Sequence, residues 1–272
     1  MAIVILPKQS GTAERLPRDE LNDKAFWDKC TSFRKEIGVP GFWSNLEENC
    51  RQWADDISVS PFWKGVKDRQ PSWSNDFQRL TDGSLLAQSE VPKFVGKGMK
   101  RVREKMCRQF ADDENLAVQT LWPEKGPPVP ALNDLVRSRI ECQFLDGVEY
   151  IGTVLGELAQ KMGIKWERTR EGRLEGYFAQ HFLFEQPVFF RFGGGQEPAT
   201  IKCEVQIATA LATQVWETSH GIYEVSRTHS EQAEDWQWNP NDPRFIAHQL
   251  GHMIHLADGL LVQLRNRSSS QS

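Results

Sequence analysis

The sequence predicts an α/β (α+β) protein: a mixed β-sheet flanked by helices, with a helical N-terminal element and a long C-terminal helix. Three observations support this. Apolar residues recur at helical spacing over 23–67 and again over 244–267. Between 133 and 223, short apolar strands alternate with helical patterns. The composition, 39% hydrophobic and 26% charged over 272 residues, is that of an ordinary globular chain.

The elements follow in order. Residues 1–20 are polar, with two prolines, and are expected to be poorly ordered at the start. Phe26, Trp27, Phe33 and Ile37, then Trp43, Leu46, Cys50, Trp53 and Ile57, trace helices interrupted by a turn at Gly38-Val-Pro-Gly41. The segment from Lys93 to Lys105 is basic, and on a helix Lys93, Lys97, Lys100 and Arg101 share one side. Lys125-Gly-Pro-Pro-Val-Pro130 is non-helical. A strand is expected over 133–144, then an amphipathic helix over 148–162 capped by Gly163. Two strands, 176–184 and 187–192, follow around Glu185-Gln186, with a turn at Gly193-Gly-Gly195 and a strand over 201–207. Helix then covers 210–223, an aromatic loop 236–243 and a long helix 244–267, before a Ser-rich tail expected to be disordered. The expected division is 1–84 helical region, 85–267 main domain and 268–272 tail.

Composition also excludes. A net charge of −4 argues against a general nucleic-acid-coating protein. No apolar run approaches the ~20 residues a membrane helix needs, and the N-terminal apolar stretch is too short for a secretory signal. The five cysteines are scattered without a CxxC pair, which fits neither a zinc site nor a disulfide framework and suits a reducing cytoplasm.

Several constellations could carry chemistry. Asp134 opens one strand and Glu204 lies on another; two such carboxylates could hold Mg²⁺, which takes oxygen ligands and substrate phosphates. On spacing alone the plainer reading is favoured, with Asp134 capping a turn and Glu204 pairing with an arginine. The basic segment could neutralise a polyphosphate, although solvated charged faces are common. Gly96 and Gly98 within it would permit close approach of a ligand. Tyr177, Ala179 and His181 share a strand face, offering a stacking plane and a hydrogen-bonding imidazole, or else a core tyrosine with a satisfied histidine. Glu204 and Gln206 project together, and Trp216, His220 and Tyr223 share a helix side. His248, His252 and His255 have the spacing of a zinc-ligating helix face, but HExxH is lacking and their neighbours read as ordinary packing.

The order of these pieces is a basic segment, D-L-x-x-x-R at 134–139 with Arg139 closing it, G-Y-x-x-x-H at 176–181, E-x-Q-I-x-T at 204–209 and W-x-x-x-H-x-x-Y at 216–223. It resembles the RelA/SpoT synthetase domain over roughly 85–227. That family consists of ATP-dependent pyrophosphokinases that make the alarmones ppGpp and pppGpp. The resemblance implies a nucleotidyltransferase-like synthetase fold and Mg²⁺ as cofactor. The His-Asp hydrolase module of the long family members is not found, which implies a small synthetase. Carried over by position, Asp134 and Glu204 become the catalytic, metal-binding carboxylates. Lys93, Lys97, Lys100, Arg101, Arg103 and Arg139 bind ATP, and Arg173, Tyr177, His181, Gln206 and His220 bind the acceptor. The implied partners are ATP and a nucleotide acceptor. Toxic family members instead modify the 3′ end of tRNA and are countered by an antitoxin, and family members often form homo-oligomers.

The sequence departs from the family pattern in places. Ala208 stands where E-x-Q-I-R-T has arginine, Glu224 where a lysine follows the tyrosine, and Glu175 where the acceptor loop has asparagine. Some thirty residues separate the basic segment from Asp134, longer than expected. These departures remove positive charge and add carboxylate near the acceptor end, so an acceptor with fewer phosphates than GTP is expected.

Overall fold

The computed structural model describes residues 18–112, 117–172, 176–228 and 235–269. The expected disorder of the first residues lies outside these; of the tail expected over 268–272, the last three also do, while Ser268 and Ser269 continue the final helix. Three helices come first: α1 (Arg18–Phe33), α2 (Phe42–Ser58) and α3 (Pro61–Thr81). Gly41, at φ 84°, makes the turn into α2, and Ser60 caps α3 by accepting from the Trp63 amide. The strands β1 (Val95–Gly96), β2 (Val136–Cys142), β3 (Trp166–Gly172), β4 (Phe178–Phe192) and β5 (Gly195–Thr209) form one sheet in the order β1-β2-β5-β4-β3. Only β2 and β5 run parallel. The remaining helices are α4 (Met99–Asp112), α5 (Ala117–Leu121), α6 (Leu145–Lys161), α7 (Ala210–Thr228) and α8 (Pro243–Ser269).

Strand alternation gives the sheet two unlike faces. Val136, Ile140 and Cys142, Cys203, Val205 and Ile207, and Phe182 and Phe184 are all buried on one face. Phe62 of α3 packs there, stacked on Phe182 at 6.4 Å and 4.9 Å from Phe184. The core continues without a break into α1 and α2 through Phe26, Phe42, Leu46 and Trp53. The opposite face is polar. Register sets Arg137 beside Glu204, Arg139 beside Gln206, and Gln206 beside His181.

The structure corrects three expectations. The two strands expected over 176–192 are one, because Pro187 breaks no ladder bond. Along β4 the amides of Glu185 and Arg191 point away from β5, to Lys165 O and Asn49 Oδ1. Pro187 shares their parity, so its missing N–H faces the open edge. Helix α2 covers that edge: the Asn49 side chain also donates to Arg191 O, and Trp53 Nε1 donates to Phe189 O. Gly193 and Gly194, both at positive φ, close the hairpin as a two-residue turn.

Second, the basic segment is not a single helix. Val95 and Gly96 pair with β2 and α4 starts only at Met99, so Lys93 and Lys97 share no helix face with Lys100 and Arg101. Third, Gly96 makes room for protein rather than ligand. A Cβ there would lie 3.0 Å from the Cys50 carbonyl of α2.

Candidate active site

Asp134 sits just before β2, and the Lys97 amide donates to Leu135 O at 2.8 Å, which locks the end of β1 beside it. Both carboxylate oxygens of Asp134 are held: Lys97 Nζ donates to Oδ2 at 2.5 Å and Lys105 Nζ to Oδ1 at 2.8 Å. Asp134 and Lys97 are both buried. Burial alone would raise the Asp134 pKa; the charges of Lys105 and Lys97 outweigh it and hold the carboxyl below its ordinary value. Burial pulls the Lys97 ammonium down, against the opposing pull of Asp134.

Glu204 is 6% exposed, on the polar face of β5. Gln206 Nε2 donates to its Oε1 at 2.6 Å, and His181 Nδ1 lies 3.4 Å from its Oε2. Burial raises the Glu204 pKa and so does the charge of Asp134, but the His181 contact and the Gln206 bond bring it below the usual value. The two carboxylates therefore sense each other across the start of the parallel pair. The other ring nitrogen of His181, Nε2, meets Tyr177 Oη at 3.0 Å. The Tyr177 ring lies 4.5 Å from that of Trp216 on α7. Tyr177, Phe178, Gln206, Ala208, Thr213, Trp216 and Arg139 enclose a cavity of 10 Å³.

The structure thus gathers Asp134, Lys97 and Lys105 at one end, Glu204, His181 and Gln206 at the centre, and Tyr177 and Arg139 at the other end. Arg139, expected with the ATP phosphates, lines the small cavity with Tyr177 and Gln206 and pairs with Glu217 Oε1 at 2.6 Å. Neither plain alternative for the carboxylates holds, since lysines clamp Asp134 and no arginine bonds Glu204 among the described residues. Lys93, Lys100 and Arg101 are exposed, with Lys100 Nζ 4.0 Å from Glu104. The Arg103 guanidinium lies over the rings of Trp27 at 5.0 Å and Trp43 at 5.5 Å, which occupies it within the N-terminal helices. Arg173 lies outside the described residues, as do the side chains of His220, Tyr223 and Glu224.

Sequence reasoning gave Lys105 no role. The available signal was the buried stripe Met99, Val102, Met106 on α4, which Lys105 borders while Lys100 and Arg101 face solvent. A second missed group is Thr209. Its Oγ1 accepts from the Ala212 amide at 3.1 Å, starting α7, and bonds Asp258 of α8, which is 1% exposed. The α8 histidines pack: His255 stacks on Phe178 at 3.8 Å and His252 meets its edge at 5.5 Å. Among the described residues, no three His, Cys, Asp or Glu side chains converge on one point.

The crystal structure of small alarmone synthetase 1 from Bacillus subtilis superposes on this chain with a TM-score of 0.50 at 14% identity, covering 85% of this chain and 99% of that one. The fold is the small alarmone synthetase fold. A GTP pyrophosphokinase family protein from Streptococcus pneumoniae aligns at 16% identity and TM-score 0.48, covering 81% of this chain and 96% of that one. No family model matches the chain, and neither does any curated protein. Within this synthetase fold, no described helix is long and apolar enough to cross a membrane.

Proposed function

We propose that this chain is an ATP-dependent pyrophosphokinase that transfers the β,γ-pyrophosphate of ATP to the ribose 3′-hydroxyl of a purine nucleotide. One observation carries the reading. Two buried carboxylates lie near enough for the charge of one to act on the other: Asp134, in the turn before β2, is clamped by two lysines, and Glu204, on the polar sheet face, is flanked by a tyrosine–histidine pair. The catalytic unit is residues 85–267, braced by the helices of 1–84.

Asp134 and Glu204 suit Mg²⁺: both are oxygen donors, both are buried, and each feels the other's charge. Two carboxylates, with no third acidic or imidazole side chain converging on them among the described residues, fit a cation that completes its shell with water and phosphate oxygens. When bound, Mg²⁺ would neutralise charge on the phosphates. Lys97 and Lys105 supply further positive charge in a largely dry site, where it stabilises a charged transition state most. Lys97 is buried before any substrate arrives, so little reorganisation is needed.

The acceptor 3′-oxygen bonds to the β-phosphorus, and the bond from that phosphorus to the α,β-bridging oxygen breaks. AMP leaves with the electron pair. Glu204, held below the ordinary carboxylate pKa, is ionised at neutral pH and takes the hydroxyl proton. His181 orients Glu204 through Nδ1 and Tyr177 through Nε2. Tyr177 and Trp216 form an aromatic wall for a base, and Gln206 lines the ribose side.

The acceptor is an adenosine or guanosine nucleotide carrying fewer phosphates than GTP. With Ala208 in place of arginine, Arg139 is the sole cation lining the described acceptor cavity, and Glu217 already pairs with it. The site is tested by Asp134→Asn and Glu204→Gln in label transfer from γ-labelled ATP. Each should lower the transfer rate at least about 100-fold while the fold persists by circular dichroism. Full activity of Glu204→Gln would remove the mechanism.

A further inference from the structure

Strand alternation puts Arg137 on the polar face of β2, two residues before Arg139. The family resemblance gives it no role, since it falls at an unspecified position of D-L-x-x-x-R. Its register neighbours are Val95 of β1 and Glu204 of β5. Val95 is apolar, and both carboxylate oxygens of Glu204 are already engaged, one by Gln206 and one by His181. Arg137 is half-buried, yet among the described residues it makes no hydrogen bond and no ion pair.

The other buried or half-buried arginines among the described residues all have a carboxylate. Arg34 pairs with Glu36, Arg139 with Glu217, Arg168 with Glu149, Arg244 with Asp242 and Arg265 with Asp146. A cation partly withdrawn from water ordinarily gains such a partner. Arg137 is the exception, and it stands in the middle of the candidate site.

Its surroundings are cationic. Burial pulls the Lys97 ammonium down, Asp134 pulls it back up, and the charges of Lys105 and Arg137 add to the downward pull. Arg137 is therefore within electrostatic reach of the lysines that clamp Asp134. Lys97, Lys105 and Arg137 face two carboxylates, Asp134 and Glu204, which leaves one positive charge unmatched in a partly dry cluster. An anion would complete it, and a guanidinium fork matches two oxygens of a phosphate group.

Position selects the anion. Paired strands lie about 5 Å apart, so Arg137 reaches the space that Glu204 faces. Under the functional reading above, on which this inference rests, Glu204 takes the acceptor proton and the lysines hold the ATP phosphates. The group that moves between them is the β,γ-pyrophosphate. We propose that Arg137 holds this transferred pyrophosphate, its fork on two non-bridging oxygens while the acceptor 3′-oxygen bonds to the β-phosphorus and AMP leaves with the electron pair. Arg137 makes and breaks no covalent bond. It supplies positive charge where the phosphorus changes partner.

The test joins binding to kinetics in the full chain. Inorganic pyrophosphate is titrated by calorimetry into the wild type, Arg137→Met, Arg137→Lys and the control Arg168→Met. Arg137→Met should weaken pyrophosphate binding at least about 10-fold, as loss of charge-assisted bonds does. It should melt no lower than the wild type, because it removes an unmatched charge. In label transfer from γ-labelled ATP its kcat should fall about 100-fold, with the ATP KM changed far less. Arg137→Lys should recover part of the binding and little of the rate, since one ammonium does not span two oxygens as the fork does. Arg168→Met takes a partner from Glu149, so it should lower the melting temperature and leave pyrophosphate binding unchanged. Wild-type pyrophosphate binding in Arg137→Met, or a melting temperature several degrees lower, would overturn the proposal. A full rate in Arg137→Lys would overturn it too. If pyrophosphate binding depends on Arg137 in a chain that transfers no label, the anion site stands and the reading of the reaction falls.

Discussion

Two glycines on α8 separate crowding from helix propensity in one experiment. A Cβ on Gly251 would meet Gly176 O at 2.3 Å, its carbonyl carbon at 2.8 Å and its Cα at 2.9 Å, all of them backbone atoms with no rotamer to change. A Cβ on Gly259, two turns along the same helix, would meet nothing within 4 Å. Restoring ordinary contact at Gly251 needs the two backbones to part by about 1 Å, and such overpacking costs roughly 1–3 kcal/mol. Replacing a helical glycine by alanine returns about 1 kcal/mol at either position. Gly259→Ala should therefore stabilise by up to about 1 kcal/mol, while Gly251→Ala lies about 1–3 kcal/mol below it. At roughly 2–4 °C per kcal/mol for a chain of this size, the two melting temperatures should differ by about 2–12 °C. The displaced segment is Gly176-Tyr177, so Gly251→Ala should also raise the acceptor KM while leaving that for ATP near wild type. Equal melting temperatures for the two variants would refute the close crossing.

Other expectations follow from particular contacts. Lys105→Ala should lower label transfer by about 100-fold, as loss of one charge-stabilising donor does, whereas Lys100→Ala, on a solvent-facing side chain, should change it little. Tyr177→Phe keeps the contact with Trp216 and loses the bond to His181, and should cost about 1 kcal/mol of stability in chemical denaturation. Asp134 and Glu204 have native pKa values below their unfolded ones. Their stabilisation is complete above about pH 4 and is lost as pH falls through the native values, which an acid titration of melting temperature will show. Asp258 is the opposite case: burial raises its pKa against the Thr209 bond and the charge of His255. Its contribution is complete below about pH 4 and is lost as pH rises through the native value, so Asp258→Asn should flatten that part of the melting-temperature profile.

What the sequence made legible was whatever depends on periodicity or local chemistry. The 3.6-residue pattern placed α2, α6 and α8, and Gly163 ended α6 with φ +68°, as its position after Met162 suggested. Alternation put Glu204 with Gln206, and Tyr177 with His181, on shared faces. Contacts distant in sequence were not legible. Nothing local says that Lys105 rather than Lys100 reaches Asp134, because that depends on how α4 is rotated against β2. Nothing local places Arg139 beside Tyr177 either, since that depends on β2 pairing with β5 rather than with β4. Pro187 misled for a related reason: whether a strand tolerates proline depends on which edge its nitrogen faces. The aromatic cluster that occupies Arg103 was visible only as separate tryptophans.

The central claim is the reaction itself, and the products of a single incubation test it most directly. Purified chain, Mg²⁺ and ATP are incubated in turn with AMP, ADP, GDP, GTP and deacylated tRNA, and AMP and the acceptor product are quantified together. The account predicts one AMP released per acceptor modified, a pyrophosphate on the acceptor 3′-oxygen, and a faster reaction with a nucleotide carrying fewer phosphates than GTP. Release of ADP, a singly phosphorylated product, label transfer only to tRNA, or no transfer to any acceptor would contradict it.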